Sequence, residues 1–350
     1  MSTFHSLKIK EIKRETSKAV SVLFDVPESL QADYNFTAGQ YLNLKTTLNG
    51  KEIRRAYSIC SPSNSKELRI AIKAVSNGVF STYANEQLKV GDFLDVAKPE
   101  GKFVFEPDSS LQKNYAAFAA GSGITPIMSI LSTILINEPL SSFVLVYGNR
   151  TPEDTIFHKQ LHDLQMQFTG RLFVHYVYSQ SKIEGELFGR IERSTVNFVL
   201  KNKHKEIEFR TFYLCGPEEM INIVSDVLKE NNVPEKKIKF ELFTASTEEH
   251  IIEKSLDGHT KITVLVDDEE TSFVMSQQQT ILDASLKQGV DAPYSCQGGI
   301  CSSCLARITN GTAEMKKNSI LTDGEIAQGL ILTCQAHPTS SDLYVDYDDV

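Results

Sequence analysis

The first part of the chain alternates apolar and polar residues over short runs. Such runs stand in "FHSLKIKEIKRET", "AVSVLFDVP", "QYLNLKTTL", "AYSIC", "LRIAIKAV" and "DFLDVAKP", with turn residues between them. Alternation with a period of two is typical of half-buried β-strands. Only "FSTYANEQL" has the pattern of a short helix. Residues 1–108 are therefore predicted to fold as a small antiparallel β-barrel.

From about residue 112 the pattern changes to apolar runs that alternate with helical periods. The strand patterns are "YAAFAAG", "SSFVLVYGNR", "RLFVHYVYS" and "FRTFYLCGP", and the helical ones are "TPIMSILSTILI", "EDTIFHKQLHDLQMQF" and "EEMINIVSDVLKEN". Strands that alternate with helices predict a parallel sheet covered by helices on both faces. Residues 109–243 are therefore predicted to form a doubly wound α/β domain.

The last part of the chain predicts a linker and a third domain. Residues 244–258, "TASTEEHIIEKSLDG", are polar and lack a strong period, which is typical of a linker. Strand patterns follow in "KITVLVDDEETSFVM", "CLARITNG" and "DLYVDYDD", together with a helical pattern in "TILDASLKQG". Residues 259–350 are therefore predicted to form a separate domain that contains both strands and a helix.

Acidic residues are concentrated in this third domain. The 350-residue chain carries a net charge of −9, and residues 259–350 hold 13 acidic and 5 basic side chains, which gives −8. This balance argues against nucleic acid as a partner, because phosphate binding needs a basic face. It indicates either docking onto a basic partner surface or solubility alone, and the charge count does not separate the two.

No stretch has the pattern of a membrane span or of an export signal. The most apolar stretch, "YAAFAAGSGITPIMSILSTILI", is interrupted by Gly121, Gly123 and Pro126. The start, "MSTFHSLKIK", alternates apolar and polar residues from the outset. A cytoplasmic, reducing location is expected, in which stable disulfides do not form.

Four of the six cysteines follow the spacing of an iron–sulfur protein. Cys296, Cys301 and Cys304 form C-x4-C-x2-C, and Cys334 follows further along. This is the plant-type [2Fe–2S] spacing. Glycines and serines between the cysteines leave room for backbone N–H groups to reach cluster sulfurs. Zinc is the nearest alternative, but structural zinc sites usually present paired C-x2-C motifs.

Two segments of the first domain carry residues suited to a phosphate and a ring system. Arg55 and Tyr57 in "RRAYSICS" share one face of a strand, and Ser58 follows. In "NGVFSTY", Gly78 and Ser81 stand with Thr82 at the start of the short helix, where backbone amides attract anions. An ordinary helix cap would have the same pattern, so each segment alone is weak.

Two sharp turns follow strands of the second domain. "AAGSGITP" is a glycine-rich turn between a strand and a helix, although Thr125 and Pro126 replace the last part of a G-x-G-x-x-G motif. "YLCGPEEM" contains the second turn. Ligands bind at this edge of a doubly wound sheet. For Cys215 a buried thiol at the end of a strand is the simpler interpretation, as it is for Cys60.

Taken in order, R-x-Y-S, G-x-x-S-T, G-S-G-x-T-P and C-G-P resemble the ferredoxin–NADP reductase superfamily, and the trailing cysteines resemble a fused plant-type ferredoxin with a β-grasp fold. The resemblance covers nearly the whole chain. More narrowly, "FHSLKIKEI", "YSIC", "YGNR" and "CQGGICSSC" are similar to the reductases of phenylacetyl-CoA epoxidase complexes. It implies FAD, NAD(P)H and a [2Fe–2S] cluster as cofactors, and a multicomponent oxygenase as the partner.

The resemblance also implies a role for each matching position. Tyr57 is expected against the flavin ring, with Ser58 near its reactive nitrogen and Cys215 near the hydride-transfer centre, so Ser58 and Cys215 are the implied catalytic residues. Phe243 is expected to cover the flavin, although core packing explains it equally well. The implied cofactor-binding positions are Arg55, Ala56, Tyr57, Ser58, Ile72, Lys73, Gly78, Val79, Phe80, Ser81, Thr82, Gly121, Gly123, Thr125, Pro126, Arg150, Cys215, Gly216, Pro217 and Phe243. The implied metal ligands are Cys296, Cys301, Cys304 and Cys334.

The choice between NADPH and NADH depends on two cations. Arg150 and Lys182 have the charge to pair with a 2′-phosphate, and no acidic residue ends "FVLVYGN" to bind a free ribose hydroxyl. "YSQSK" lacks the Ser-Arg pair of plant-type enzymes, and both cations also fit a solvated surface. NADPH is the expected donor, and NADH stays open.

The expected function is electron transfer. NAD(P)H gives a hydride to FAD, electrons pass singly to the cluster, and the acidic domain delivers them to an oxygenase, for which a phenylacetyl-CoA epoxidase is favoured over a steroid or aromatic-ring hydroxylase. A zinc-binding interaction protein without enzymatic activity is the distant alternative. His158, His162 and His204 are expected at the surface.

Overall fold

The computed structural model describes residues 4–110, 112–244 and 258–350. Within this part of the chain there are two compact units, one spanning Phe4–Phe243 and one that includes Thr244–Val350. Most of the predicted linker, residues 245–257, lies outside the described residues. The helices in the described ranges are all too short or too polar to cross a bilayer.

The first strands form the predicted antiparallel barrel. They are hydrogen-bonded in the order β4-β3-β6-β1-β2-β5, and a bridge between Ile59 and Ile70 joins the two outer strands. One side chain of each alternating pair points inward, so Leu7, Ile9 and Leu44 are fully buried. The elements are β1 (His5–Thr16), β2 (Ala19–Asp25), β3 (Tyr41–Leu48), β4 (Lys51–Ser58), β5 (Leu68–Lys73), helix α1 (Val79–Glu86) and β6 (Phe93–Val96).

The second half of this unit is the predicted doubly wound domain. Its sheet has the order β10-β9-β8-β7-β11-β12, and the pairs around β7 are parallel. The direction of winding reverses between β7 and β11, which opens a crevice at the carboxyl ends of these two strands. The elements are β7 (Asn114–Ala120), α2 (Ile124–Asn137), β8 (Ser142–Asn149), α3 (His158–Gln167), β9 (Leu172–Tyr178), β10 (Leu187–Phe188), α4 (Arg193–Phe198), β11 (Thr211–Pro217), α5 (Glu218–Glu230) and β12 (Ile238–Thr244).

Helix α2 packs the doubly wound domain against the barrel. The Ser129 hydroxyl donates to the carbonyl of Ser61 over 2.7 Å, and the Ser63 amide donates to the Thr133 hydroxyl over 3.1 Å. Nearly every residue of α2 is buried, because apolar side chains cover all of its faces. These contacts fix the glycine turn before α2 relative to the barrel.

One histidine does not lie where the sequence analysis expected it. His158 and His162 are exposed, but His204 is buried. Its Nε2 atom lies 2.8 Å from Nε2 of His175, and its ring lies edge-on to Phe173. The expectation for His204 is therefore wrong, because this pairing across two segments gives the imidazole a partner away from water.

The second unit has the β-grasp form. Strands β13 and β14 form an antiparallel hairpin, β19 runs parallel to β13, and the sheet has the order β14-β13-β19-β15-β17. The hydroxyl of Thr280 caps α6 by accepting from the Asp283 amide. The elements are β13 (His259–Val266), β14 (Glu269–Ser276), α6 (Ile281–Lys287), β15 (Leu305–Asn310), β16 (Ala313–Met315), α7 (Asp323–Ala327), β17 (Leu330–Leu332), β18 (Ala336–Pro338) and β19 (Asp342–Asp346).

Candidate functional site

Strand β4 presents an aromatic face on the barrel. The rings of Tyr57 and Phe80 lie 5.6 Å apart and are tilted by 33°. Burial raises the pKa of Tyr57, and the nearby guanidinium of Arg55 acts in the opposite direction. Arg55 is exposed, while Ala56 between them is half-buried. A cation and an aromatic ring therefore stand together at the surface of β4, as the alternation predicts.

A groove of about 290 Å³ opens at the start of helix α1. Gly78 and Thr82 line it with Val79. A Cβ atom on Gly78 would overlap the hydroxyl of Ser81 and the side chain of Val75, so a larger residue here would displace these side chains. Ser81 itself is buried and closes the turn, because its hydroxyl accepts from the Val75 amide at 3.2 Å.

The end of strand β5 reaches toward the glycine turn of the doubly wound domain. Ile72 is buried and its carbonyl accepts from the side-chain amide of Asn85. Lys73 places Nζ 3.5 Å from the position that a Cβ on Gly121 would occupy. Desolvation lowers the pKa of Lys73, and the carboxylate of Asp154 works against this effect. Lys73 is therefore a cation held between the two domains.

The two predicted turns meet at the crevice between β7 and β11. A Cβ atom on Gly123 would overlap the backbone carbonyl of Cys215, so the turns touch only because this position is glycine. The Gly121 carbonyl accepts from the Tyr147 hydroxyl at 2.9 Å. Thr125 donates its hydroxyl to the Ser122 carbonyl at 3.0 Å and thereby holds the turn. Pro126 is buried in the first turn of α2, and Gly216 and Pro217 end β11 beside Cys215.

A half-buried carboxyl group joins the barrel to this crevice, and the sequence analysis missed it. The Ser58 hydroxyl donates to Oε2 of Glu241 at 3.3 Å. Desolvation raises the pKa of Glu241 to about 8. Burial raises the pKa of Cys215, and the charge of Glu241 raises it further. The one available signal was an acidic residue inside the otherwise apolar segment "FELF".

The remaining predicted positions lie nearby or at the surface. Phe243 is half-buried and packs against the core of the doubly wound domain. Arg150 is exposed directly after β8. The pKa of Lys73 is lowered mainly by desolvation, and the charge of Arg150 lowers it further. Lys182 is exposed and its Nζ lies 5.1 Å from the ring centre of Phe188.

The first pair of loop cysteines in the second unit is Cys296 and Cys301. A hydrogen bond from Cys301 lowers the pKa of Cys296 against the effect of desolvation. The amide of Gly298 lies 3.3 Å from Sγ of Cys296 and donates to it, and the Ile300 amide contributes as well. Small residues in this loop therefore bring backbone donors to the Cys296 sulfur.

The second pair is Cys304 and Cys334. A hydrogen bond from Cys304 lowers the pKa of Cys334, again against desolvation, and the Gly299 amide helps. The charge of Cys296 also acts on Cys334, and that of Cys301 acts on Cys304. All four thiols therefore lie within electrostatic reach of one another.

These residues fit a two-iron cluster. In the described ranges, no three His, Cys, Asp or Glu side chains are arranged as ligands of one ion. The thiols interact instead as two pairs, and a [2Fe–2S] cluster takes two thiolates at each iron. The buried hydroxyl of Ser295 has no protein partner, which leaves a donor beside Cys296 for a bound group.

Comparison with protein families matches three models in succession along the chain. The model for an oxidoreductase FAD-binding domain matches residues 6–105, and that for an oxidoreductase NAD-binding domain matches residues 118–226. The model for a 2Fe-2S iron-sulfur cluster binding domain matches residues 264–339. The expected FAD, pyridine nucleotide and [2Fe–2S] cofactors are thus confirmed, and so is the expected oxidoreductase class.

Several similar proteins are components of oxygenase systems. The chain is 39% identical to one subunit of the 1,2-phenylacetyl-CoA epoxidase of Escherichia coli (strain K12), over 99% of both chains. It is 29% identical to the ferredoxin reductase component of the 3-ketosteroid-9-alpha-monooxygenase of Rhodococcus rhodochrous, over 97% of this chain and 96% of that one. The structure of phthalate dioxygenase reductase superposes with a TM-score of 0.63 at 25% identity, over 98% of both chains.

Proposed function

The chain belongs to the ferredoxin–NADP reductase superfamily, in the branch with a C-terminal 2Fe-2S domain, and we propose that its electron acceptor is the oxygenase of a phenylacetyl-CoA epoxidase. The observation that carries this proposal is the 39% identity to a component of such an epoxidase over 99% of both chains, against 29% for the steroid monooxygenase component. Identity at this level over whole chains favours a shared partner as well as a shared fold.

The proposed flavin site lies on the barrel. Tyr57 offers its ring to the flavin, Arg55 offers its charge to a phosphate, and the groove beside Gly78 and Thr82 takes the pyrophosphate. Bound FAD would supply hydride chemistry with the pyridine nucleotide, and a [2Fe–2S] cluster held by the four cysteines would supply one-electron transfer. The protein contributes position and electrostatics to this chemistry.

The proposed proton-holding group is Glu241. Because desolvation raises its pKa to about 8, the Glu241 carboxyl group holds a proton through much of the neutral range, while its Oε2 atom accepts from the Ser58 hydroxyl. Cys215 stays a neutral thiol, because burial raises its pKa. These three groups surround the place in the crevice where we assign the nicotinamide.

The proposed donor is NADPH. Arg150 and Lys182 are exposed cations near the carboxyl edge of the parallel sheet, and Lys73 adds a third positive charge at the glycine turn. Such charges complement a 2′-phosphate better than a free ribose hydroxyl.

The proposed cluster ligands divide between the two irons. Cys296 and Cys301 hold one iron, while Cys304 and Cys334 hold the other, in line with the two thiol pairs. We place this electron transfer in the cytoplasm, where the thiols of a cluster loop stay reduced.

The acidic end of the second unit is the proposed docking surface. The carboxylate of Asp348 accepts from the amides of Asp267 and Asp268 at 2.9 Å each, so the hairpin turn holds several carboxylates together. Exposed Glu269 adds to this charge. A basic surface on the oxygenase would be attracted to it, and added salt would weaken the attraction.

Coupled turnover tests the acceptor. The purified protein is mixed with NADPH, phenylacetyl-CoA and the oxygenase components of an epoxidase complex, and the rate of epoxide formation is measured. In a parallel reaction the same protein is mixed with NADPH, a 3-ketosteroid and the oxygenase of a 3-ketosteroid 9-alpha-hydroxylase, and the rate of steroid hydroxylation is measured. Fast product formation only with the epoxidase supports the proposal. Faster turnover with the steroid enzyme would overturn it and leave the reductase chemistry intact.

A further inference from the structure

A chain of hydroxyl groups ends on the backbone of one cluster cysteine. The phenol of Tyr347 donates to Oγ1 of Thr333 at 2.8 Å, and Thr333 Oγ1 donates to the carbonyl of Cys304 at 3.0 Å. The Thr333 amide donates to the same carbonyl at 3.1 Å. Thr333 and Tyr347 are both buried, so water does not compete for these bonds.

This chain of bonds ties together two separated ligand segments. Thr333 directly precedes Cys334, and Cys304 directly precedes strand β15. Tyr347 is fixed in turn, because its amide donates to the Leu265 carbonyl at 3.0 Å. The phenol of Tyr347, which follows the last strand, therefore contacts the residue before Cys334 and, through it, is linked to the backbone of Cys304.

The donors are all aligned in one direction. Each hydroxyl points its hydrogen toward Cys304, so the positive ends of both dipoles face the ligand segment. Aligned hydrogen bonds polarise one another. The bonds end on the Cys304 carbonyl and not on its sulfur, but their positive ends still face the segment that would carry the cluster, and positive dipole ends there favour the more negative, reduced form.

The geometry fixes which hydroxyl is the donor. The one hydrogen of the Thr333 hydroxyl is used on the Cys304 carbonyl, so the Tyr347 phenol donates in the bond between the two hydroxyls.

We propose that Tyr347 and Thr333 are positioning residues for the ligand pair Cys304 and Cys334, and that their hydroxyl chain makes the cluster easier to reduce. The proposal rests on the assignment of these cysteines as ligands. It assigns a role in tuning the electron transfer to a tyrosine that follows the last strand and touches no sulfur directly.

The test is an EPR-monitored redox titration of the full-length protein. We expect Tyr347→Phe and Thr333→Val each to lower the equilibrium constant for cluster reduction about threefold, or about 28 mV at 59 mV per tenfold for a one-electron couple. The double variant should add little to Thr333→Val, because the Tyr347 bond ends on the deleted hydroxyl. Thr333→Ser should keep the wild-type potential and EPR spectrum.

Tyr344→Phe is the matched control. Tyr344 lies on β19, and its hydroxyl donates to the exposed Glu270 at 2.6 Å. Its loss should leave the potential unchanged. If Tyr347→Phe and Thr333→Val lower only the melting temperature and leave the potential and EPR spectrum unchanged, the pair is a plain core contact and the proposal is wrong. Iron analysis tests the ligand assignment separately. Cys304→Ser should lose iron, whereas a wild-type protein without iron would show that the ligand assignment itself is wrong.

Discussion

The hydroxyl of Ser58 donates to Oε2 of Glu241 over 3.3 Å and joins two strands that lie 183 positions apart in the chain. Ser58 ends a strand of the barrel, and Glu241 lies in the last strand of the doubly wound sheet. The bond therefore brings the barrel and the crevice to one place, which is where the proposed flavin and nicotinamide sites meet.

Glu241→Gln should remove the pH dependence of flavin reduction that comes from ionisation of Glu241. Because the pKa of Glu241 is raised to about 8, the wild-type rate of flavin reduction by NADPH should change with pH around that value, and the variant rate should not. Stopped-flow absorbance from about pH 6 to about pH 10, roughly two units on either side of this pKa, measures the dependence. Glu230→Gln, which removes an exposed carboxylate paired with Arg193, should behave like the wild type.

Ionisation of the Glu241 carboxyl group should lower the stability of the fold, whereas ionisation of a carboxyl group with a depressed pKa raises it. The pKa of Glu241 is raised on folding from 4.5 to about 8, so the folded protein holds the proton more tightly than the unfolded chain does. The resulting stability is present at low pH and is lost as pH rises through this window. Glu241→Gln should therefore flatten the fall in free energy of unfolding between these pH values. A variant with the wild-type slope would contradict the raised pKa.

Features set by residues close together in the chain can be predicted from the sequence, whereas contacts between distant segments mostly cannot. Arg55 and Tyr57 are two positions apart, so strand alternation places them on one face, and the cysteine spacing likewise indicates the cluster loop. Glu241 could not be predicted as the partner of Ser58, because their contact arises only when two separate domains pack. The burial of His204 could not be predicted either, because its partner comes from a distant segment.

Gly123→Ala should damage the crevice. The new Cβ atom would overlap the Cys215 carbonyl, and neither backbone segment can move freely. We expect a loss of about 2 kcal/mol in the free energy of unfolding and weaker nucleotide binding. Gly324→Ala, in helix α7, is the control. The atom nearest to its added Cβ is Thr322 Oγ1, at 4.0 Å. Denaturant unfolding and NADPH titration measure the two effects, and equal behaviour of the two variants would contradict the close approach.

Removal of the proposed phosphate cations should change donor preference. Arg150→Ala and Lys182→Ala together should lower kcat/KM for NADPH about tenfold, since charge-assisted contacts are lost, and should leave the value for NADH nearly unchanged. Lys159→Ala removes another exposed lysine, paired with Asp163 on α3, and should change neither value. Equal losses with both nucleotides would show that the two cations do not read the 2′-phosphate.

Ser295→Ala should weaken retention of the cluster without harming the fold. The Ser295 hydroxyl is buried without a protein partner. Its removal should therefore raise the free energy of unfolding of the iron-free protein by about 1 kcal/mol, because an unsatisfied buried donor is lost. In the iron-loaded protein the same change removes a donor beside Cys296, and loss of iron to a chelator should become several-fold faster. Ser272→Ala, which deletes a surface hydroxyl bonded to Thr263, is the control. Unchanged iron loss in Ser295→Ala would show that this hydroxyl does not reach the cluster.

The acidic surface should control the salt dependence of electron delivery. Asp268→Asn with Glu269→Gln removes two exposed charges from the hairpin turn, and should reduce the effect of salt on the rate of oxygenase reduction. Glu206→Gln with Glu208→Gln, two exposed carboxylates of the other unit, is the matched control. If both pairs of substitutions change the salt dependence equally, the hairpin turn is not the docking surface.

An anaerobic titration with NADPH, followed by absorption and EPR spectroscopy, tests the central claim most directly. The path from nucleotide through flavin to cluster predicts that the flavin bands bleach and that a rhombic EPR signal of a reduced [2Fe–2S] centre appears in the same titration. Cys334→Ser should keep the flavin bleaching and lose the EPR signal. A wild-type protein whose flavin is reduced without any cluster signal, or one that carries zinc and no flavin, would contradict this path.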